Sequence, residues 1–188
     1  MDHEIMMAGF GGQGIMSIGQ LLTYAAMREG KKVSYVPAYG PEMRGGTANC
    51  TVIVSDRYVG SPLTSAPTGM IVMSPESMAK FQPVVRRGGC LVVNTSLIDE
   101  KASRRDIEVI EVPANKLATE LGSDRVASMV ALGVLAGYTG AVGIDHLAAS
   151  LKKVLPSHRH NLIPVNEKAL EAGAAIGREA RERAAVKV

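Results

Sequence analysis

Apolar residues in this chain fall into two kinds of run. Residues 4–10, EIMMAGF, and 68–74, TGMIVMS, are short and apolar throughout, like strands buried on both sides. Residues 31–39, KKVSYVPAY, and 50–56, CTVIVSD, alternate as strands do, and GGCLVVNTSLI (88–98) and IEVIEVPA (107–114) add two more strand-like segments. Helical spacing appears over 14–29, closed by Gly30, and again over 115–121, 125–139, 144–154 and 165–185, the last with alternating Glu and Arg. Ser74 is placed to cap a further helix with Pro75 at its first position, and Asp145 opens another near the positive end of its dipole. Strands alternating with helices predict an α/β fold: a three-layer sandwich with a mostly parallel sheet and a Rossmann-like glycine turn after the first strand.

The 188 residues, 46% of them hydrophobic, suffice for one domain spanning 1–188 and are short for two. One stretch tests that reading. Residues 126–144 carry no charge, and Gly133 and Gly137 form a GxxxG, as in some membrane helices. Gly140 and Gly143 end the helix inside this run, so no membrane span is expected; such a helix belongs inside the domain or against another subunit. Its lack of charge, with ten Met in the chain, leads us to expect a homodimer or aggregation in isolation. A net charge of +3 without a basic block, and aromatics at 4%, give no footprint for nucleic acid. The opening MDHEIMMAGF lacks a basic segment and reads as a strand, so a cytoplasmic location is expected.

Two places concentrate unusual residues. Gly9-x-Gly11-x-x-Gly14 follows a strand and opens a helix, the context in which glycine lets backbone N–H groups approach a phosphate. A nicotinamide dinucleotide also asks for an acid about 20 residues on, at the end of the second strand. That strand ends SYVPAYG, without one, and no Gly-Lys-Ser/Thr P-loop ending exists. The second place is YGPEMRGGTANC, residues 39–50, where Arg44 supplies a fixed five-donor cation, Gly45 and Gly46 allow close approach, and Thr47 and Asn49 add polar groups. This loop is expected to emerge near the glycine turn.

Other chemistry is not visible. Cys50 and Cys90 stand 40 residues apart and read as buried free thiols. An iron–sulfur cluster takes about four thiolates, more than the chain has. His158 and His160 lie in a Pro-flanked polar stretch without a neighbouring ligand set, and no GxSxG elbow occurs. A freestanding Rossmann-type nucleotide-binding protein or oxidoreductase remains an alternative on these residues.

AGFGGQGI, YVPAYGPEMRGGTANCTVIVSD, SPES, VVNTSLI, RVASMVALGVLAGYTG and LIPVNEKALEAG, in that order, resemble the gamma subunit of 2-oxoacid:ferredoxin oxidoreductases over nearly the whole chain. The PEMRGGTAN form is similar to the 2-oxoglutarate and 2-ketoisovalerate enzymes. The resemblance implies one subunit of an enzyme that decarboxylates a 2-oxoacid on thiamine diphosphate, reduces ferredoxin through iron–sulfur clusters and delivers the acyl group to coenzyme A. Thiamine diphosphate, magnesium and the clusters would belong to alpha, beta and ferredoxin-like delta partners, since no GDG…N motif or cluster cysteines occur here. This chain would have no catalytic residue and no tightly bound cofactor of its own, and would contact coenzyme A. Carried over by position, Gly11, Gly12, Gln13 and Gly14 would form a turn beside the ligand or a partner chain. Arg44, Gly45, Gly46, Thr47 and Asn49 would form a loop facing the catalytic subunits, with Arg44 the candidate for a coenzyme A phosphate.

Overall fold

The computed structural model describes residues 2–39 and 47–186. Six strands, β1 (Asp2–Phe10), β2 (Lys32–Tyr39), β3 (Thr47–Ser55), β4 (Gly69–Val72), β5 (Cys90–Asn94) and β6 (Glu108–Val112), form one sheet in the order β2-β3-β1-β4-β5-β6. All run the same way except β3, which is antiparallel to both β1 and β2. The mostly parallel sheet with helices on both faces agrees with the sequence reading.

The helices are α1 (Ile15–Arg28), α2 (Pro75–Phe81), α3 (Ala114–Glu120), α4 (Ala127–Thr139), α5 (Ile144–Val154) and α6 (Ile163–Val186). Each strand presents alternate residues to opposite faces. Ile71, Val92, Cys50 and Val52 therefore join the large core under α1 and α4, while Met70, Val72, Leu91 and Val93 join a smaller one under α2. Ser74 caps α2 as expected: its hydroxyl accepts from Ser77 N at 3.2 Å.

The apolar α4 is covered within the domain. Ten consecutive residues, Ala127 to Ala136, are buried, because the sheet takes one side and α6 the other. The GxxxG of α4 meets a second one, Gly173 and Gly177 of α6. A Cβ on Gly137 would lie 2.9 Å from Ala174 Cα, and one on Gly177 would lie 2.8 Å from Tyr138 N. Only glycine lets the two backbones come this close. α4 therefore supplies no sticky surface, which removes one of the two reasons given for self-association, while of the methionines Met27 stays exposed. Among the described residues no helix is long and apolar enough to cross a membrane.

The strand after α1 does not lie beside β1. β2 pairs with β3, and β3 takes the place next to β1 with Thr47 opposite Phe10 and Asn49 opposite Ala8. Thr47 and Asn49 are thus the first and third residues of a strand rather than loop residues. The reason is the antiparallel link between β2 and β3, which folds the pair back along β1 as a unit.

Candidate functional site at the glycine turn

β1 ends at Phe10, and the chain must reverse to start α1 at Ile15. Gly12 with φ 96° and Gly14 with φ 80° make that reversal in the left-handed region, where a side chain is strained. A Cβ on Gly9 would lie 3.0 Å from Met73 Cβ, so this glycine serves packing. Around Gly12 the space is open, and Gly11 is exposed.

Gln13 staples the turn. Its Oε1 accepts from Phe10 N at 2.7 Å and its Nε2 donates to Met73 O at 3.0 Å, while Met73 N donates to Ala8 O at 2.9 Å. The carboxamide thus ties together the ends of β1 and β4, whose backbone groups have run out of ladder partners.

Two connected clefts open at this end of the sheet. The larger, about 310 Å³, lies between α1, α4 and the Leu155–Asn166 stretch, and includes Gly14, Ser17, Arg159 and Asn166. The smaller, about 210 Å³, extends over Gln13 and Met73 toward Asn115 and Asp124. Gly12, Arg125 and Ser128 line both.

Asn94 lies behind the smaller cleft and positions Asn115, which lines it. It is fully buried at the end of β5; its Oδ1 accepts from Ala114 N at 3.1 Å and Ser96 N at 3.2 Å, and its Nδ2 donates to Asn115 Oδ1 at 2.7 Å. The satisfied amide fixes the start of α3, and with it Asn115.

The residues singled out from sequence separate. Gly11, Gly12, Gln13 and Gly14 gather at the turn. Thr47 and Asn49 sit on β3 on the face away from α1, since Cys50 and Val52 face the core beneath that helix, and neither lines these two clefts. Arg44, Gly45 and Gly46 lie outside the described residues. The expectation that their loop emerges near the glycine turn is met by its downstream end, because Thr47 pairs with Phe10. The same pairing bears on the nicotinamide reading. The parallel neighbour that would carry a ribose-binding acid beside β1 is replaced by β3 arriving in the opposite direction.

Sequence reasoning missed Arg125, Ser128, Arg159, Asn166 and Asn115 as parts of a site. The available signal was the polar Arg and Ser at the head of an uncharged helix, where no core position explains an arginine.

Cys50, Cys90 and His160 have structural surroundings. Burial pushes the Cys50 and Cys90 thiols up to about 12, so both stay protonated, and Cys50 Sγ lies 3.6 Å from Ile15 O. His160 Nε2 lies 3.0 Å from Leu155 O, within the short helical turn that leads to α6. Among the described residues no group of three or more His, Cys, Asp or Glu side chains could hold a metal ion.

Residues 4–176 match the pyruvate ferredoxin/flavodoxin oxidoreductase family. Ketoisovalerate oxidoreductase subunit VorA of Methanothermobacter marburgensis is 38% identical over 176 residues, 92% of this chain but 36% of the relative, so the chain spans about a third of that protein. The 2-oxoglutarate synthase subunit KorC of the same organism is 32% identical over 163 residues, 83% of this chain and 88% of the relative. The crystal structure of a keto/oxoacid ferredoxin oxidoreductase gamma subunit from Geobacter sulfurreducens PCA superposes with a TM-score of 0.83 at 26% identity, covering 96% of this chain and 98% of that one. With one family spanning nearly every element from β1 into α6, the chain belongs to the pyruvate ferredoxin/flavodoxin oxidoreductase family.

Proposed function

We propose that this chain is the gamma subunit of a cytoplasmic 2-oxoacid:ferredoxin oxidoreductase, which oxidatively decarboxylates 2-oxoglutarate or 2-ketoisovalerate to the acyl-coenzyme A. The observation that carries the reading is the family match over residues 4–176, together with relatives whose names are those of 2-oxoacid enzyme subunits. In this reading alpha, beta and delta partners hold thiamine diphosphate, magnesium and iron–sulfur clusters. The domain described here supports assembly and presents coenzyme A to the reacting centre.

The glycine turn and its clefts suit that role. Gly11 and Gly12 leave backbone open to a ligand, Gln13 holds the turn rigid, and Arg44 with Gly45 and Gly46 would reach the ligand or the partners from the loop that enters β3. Preorganising the turn lowers the ordering cost of binding. The protein's part is to bind and orient the acyl acceptor and to exclude water; the group chemistry is supplied by thiamine diphosphate when it is bound in the complex.

The test is an affinity purification of the chain from its native host, with partners read by mass spectrometry and the eluate by visible absorption. Recovery of thiamine-enzyme chains, a broad iron–sulfur absorbance and ferredoxin reduction dependent on a 2-oxoacid and coenzyme A are expected. A colourless eluate holding this chain alone would overturn the assignment. In the purified complex, Arg44→Ala should raise the coenzyme A KM by about tenfold, the worth of one charged hydrogen bond.

A further inference from the structure

Two of the exposed large apolar side chains share one face of a helix. Tyr24 and Met27, 36% and 54% exposed, stand one turn apart on α1. With Gln20 and Thr23 they form an i, i+3, i+4, i+7 stripe on the side of α1 opposite its buried residues Leu22, Ala25 and Ala26. Two adjoining hollows of about 360 and 300 Å³ open along the stripe and share Tyr24, Met27 and Lys153. α5 contributes Ala149 and Lys153, and β2, an edge of the sheet, contributes Tyr35, so this groove opens at the side of the domain where the sheet ends.

The groove is apolar along its floor and basic at its rim. Arg28 and Lys153 line it, and no carboxylate does. Among the described residues neither cation forms an ion pair. The acids next to it in sequence are engaged elsewhere: Glu29 is held by Lys31, Gly143 and His146, and Asp145 lies 3.7 Å from His146 Nδ1.

These features select the occupant. The stripe rises about 10 Å over seven residues, the contact length of a facing helix of about three turns, and the small Thr23 and Ala149 leave room for its ridge. Tyr and Met at the centre of such a surface favour an apolar face, and two unpaired cations at its rim favour carboxylates beside that face. A second copy docked face to face would set Arg28 and Lys153 against the same cations, and like charges across an interface oppose association.

We propose that this groove is the docking site for an acidic amphipathic helix of a partner subunit, whose apolar stripe covers Tyr24 and Met27 and whose carboxylates meet Arg28 and Lys153. For the identity of the partner this rests on the oxidoreductase reading. It assigns assembly to the later turns of α1 and to α5, rather than to the glycine turn or the loop that carries Arg44.

The experiment places a photo-cross-linking residue in the full chain, Met27→p-benzoylphenylalanine, irradiates the complex purified from the native host and sequences the cross-linked peptide. A cross-link to a helix-forming segment of a thiamine-enzyme subunit, with an apolar stripe flanked by Asp or Glu, is expected. The double variant Arg28→Glu, Lys153→Glu should lower recovery of that subunit with the chain at least about tenfold at low salt, and Tyr24→Ala about tenfold through loss of an aromatic anchor. All three side chains are exposed in the chain, so thermal melts of the variants should match wild type.

An assembled complex with no cross-link from position 27, a cross-link to a basic segment or to a second copy of this chain, or wild-type recovery by the charge-reversed variant would each overturn the docking site and leave the oxidoreductase reading standing. A cross-link to an acidic amphipathic helix of a protein that is not a thiamine-enzyme subunit would uphold the site and refute that reading. A chain that neither cross-links nor copurifies with any partner would overturn both.

Discussion

The Gln13 carboxamide and the Met73 carbonyl, 60 positions apart in sequence, are joined by a 3.0 Å hydrogen bond at the carboxyl end of the sheet. Together with the Gln13 bond to Phe10 N, it makes the glycine turn a braced structure rather than a free loop. Gln13→Met keeps the volume and removes both bonds. The expected cost is about 1–3 kcal/mol, read by urea unfolding, because Phe10 N and Met73 O lose partners in a half-buried setting. Unchanged stability would show that water replaces the amide without loss.

The α4–α6 crossing reverses an ordinary expectation. Gly→Ala within a solvent-facing helix stabilises by about 0.5–1 kcal/mol. At Gly173 a Cβ would lie 2.9 Å from Val134 N and would also run into the Val130 carbonyl, so Gly173→Ala should destabilise by about 1–3 kcal/mol and Gly173→Val by more. Thermal melts of the two variants against wild type decide the sign.

The corner between α1 and α5 should weaken in acid. Glu29 Oε1 accepts from Gly143 N at 2.5 Å and pairs with His146 Nδ1 at 2.9 Å, and Oε2 meets Lys31 Nζ at 2.7 Å. Burial alone would raise the Glu29 carboxyl; the bonds from Lys31, Gly143 and His146 outweigh it and hold the group below 4.5. A depressed carboxylate contributes stability that is present above its unfolded pKa and lost as pH falls through the folded value. Glu29→Gln should therefore melt about 2–4 °C below wild type at pH 7, as about 1 kcal/mol does in a chain of this size, with the gap closing as the pH falls below about 4. A constant gap down to pH 3 would contradict the role given to the charge.

Cys50 and Cys90 should be silent in the folded protein. With both thiols fully protonated at neutral pH and buried, a thiol-specific disulfide reagent should react at least about 100-fold more slowly than in denaturant, where both sites titrate. Rapid labelling of either under native conditions would show that the core opens.

Much of the architecture is written in local pattern. The uniform apolar runs, the Ser74–Pro75 start of α2 and the Gly140 end of α4 each act within a few residues, through burial, capping or a positive φ, and these effects are readable one segment at a time. The glycine turn belongs to the same class, because Gly12 and Gly14 are demanded by the local backbone. By itself, then, the sequence determined the element types, the α/β class, the turn and the family signature.

Tertiary structure decided which pieces meet. The insertion of β3 between β1 and β2 follows from strand pairing over long separations, and it moved Thr47 and Asn49 onto the face away from α1. Gly173 and Gly177 acquire meaning only against Gly133 and Gly137, since a close helix crossing is a property of two surfaces. The polar cleft is of this kind as well. Arg125, Ser128, Arg159 and Asn166 come from α4 and its lead-in turn, the turn before α6, and α6 itself, and no local spacing announces that the first two meet the last two. They converge at the glycine turn because α4 and α6 pack together and carry both ends of that set to the carboxyl edge of the sheet.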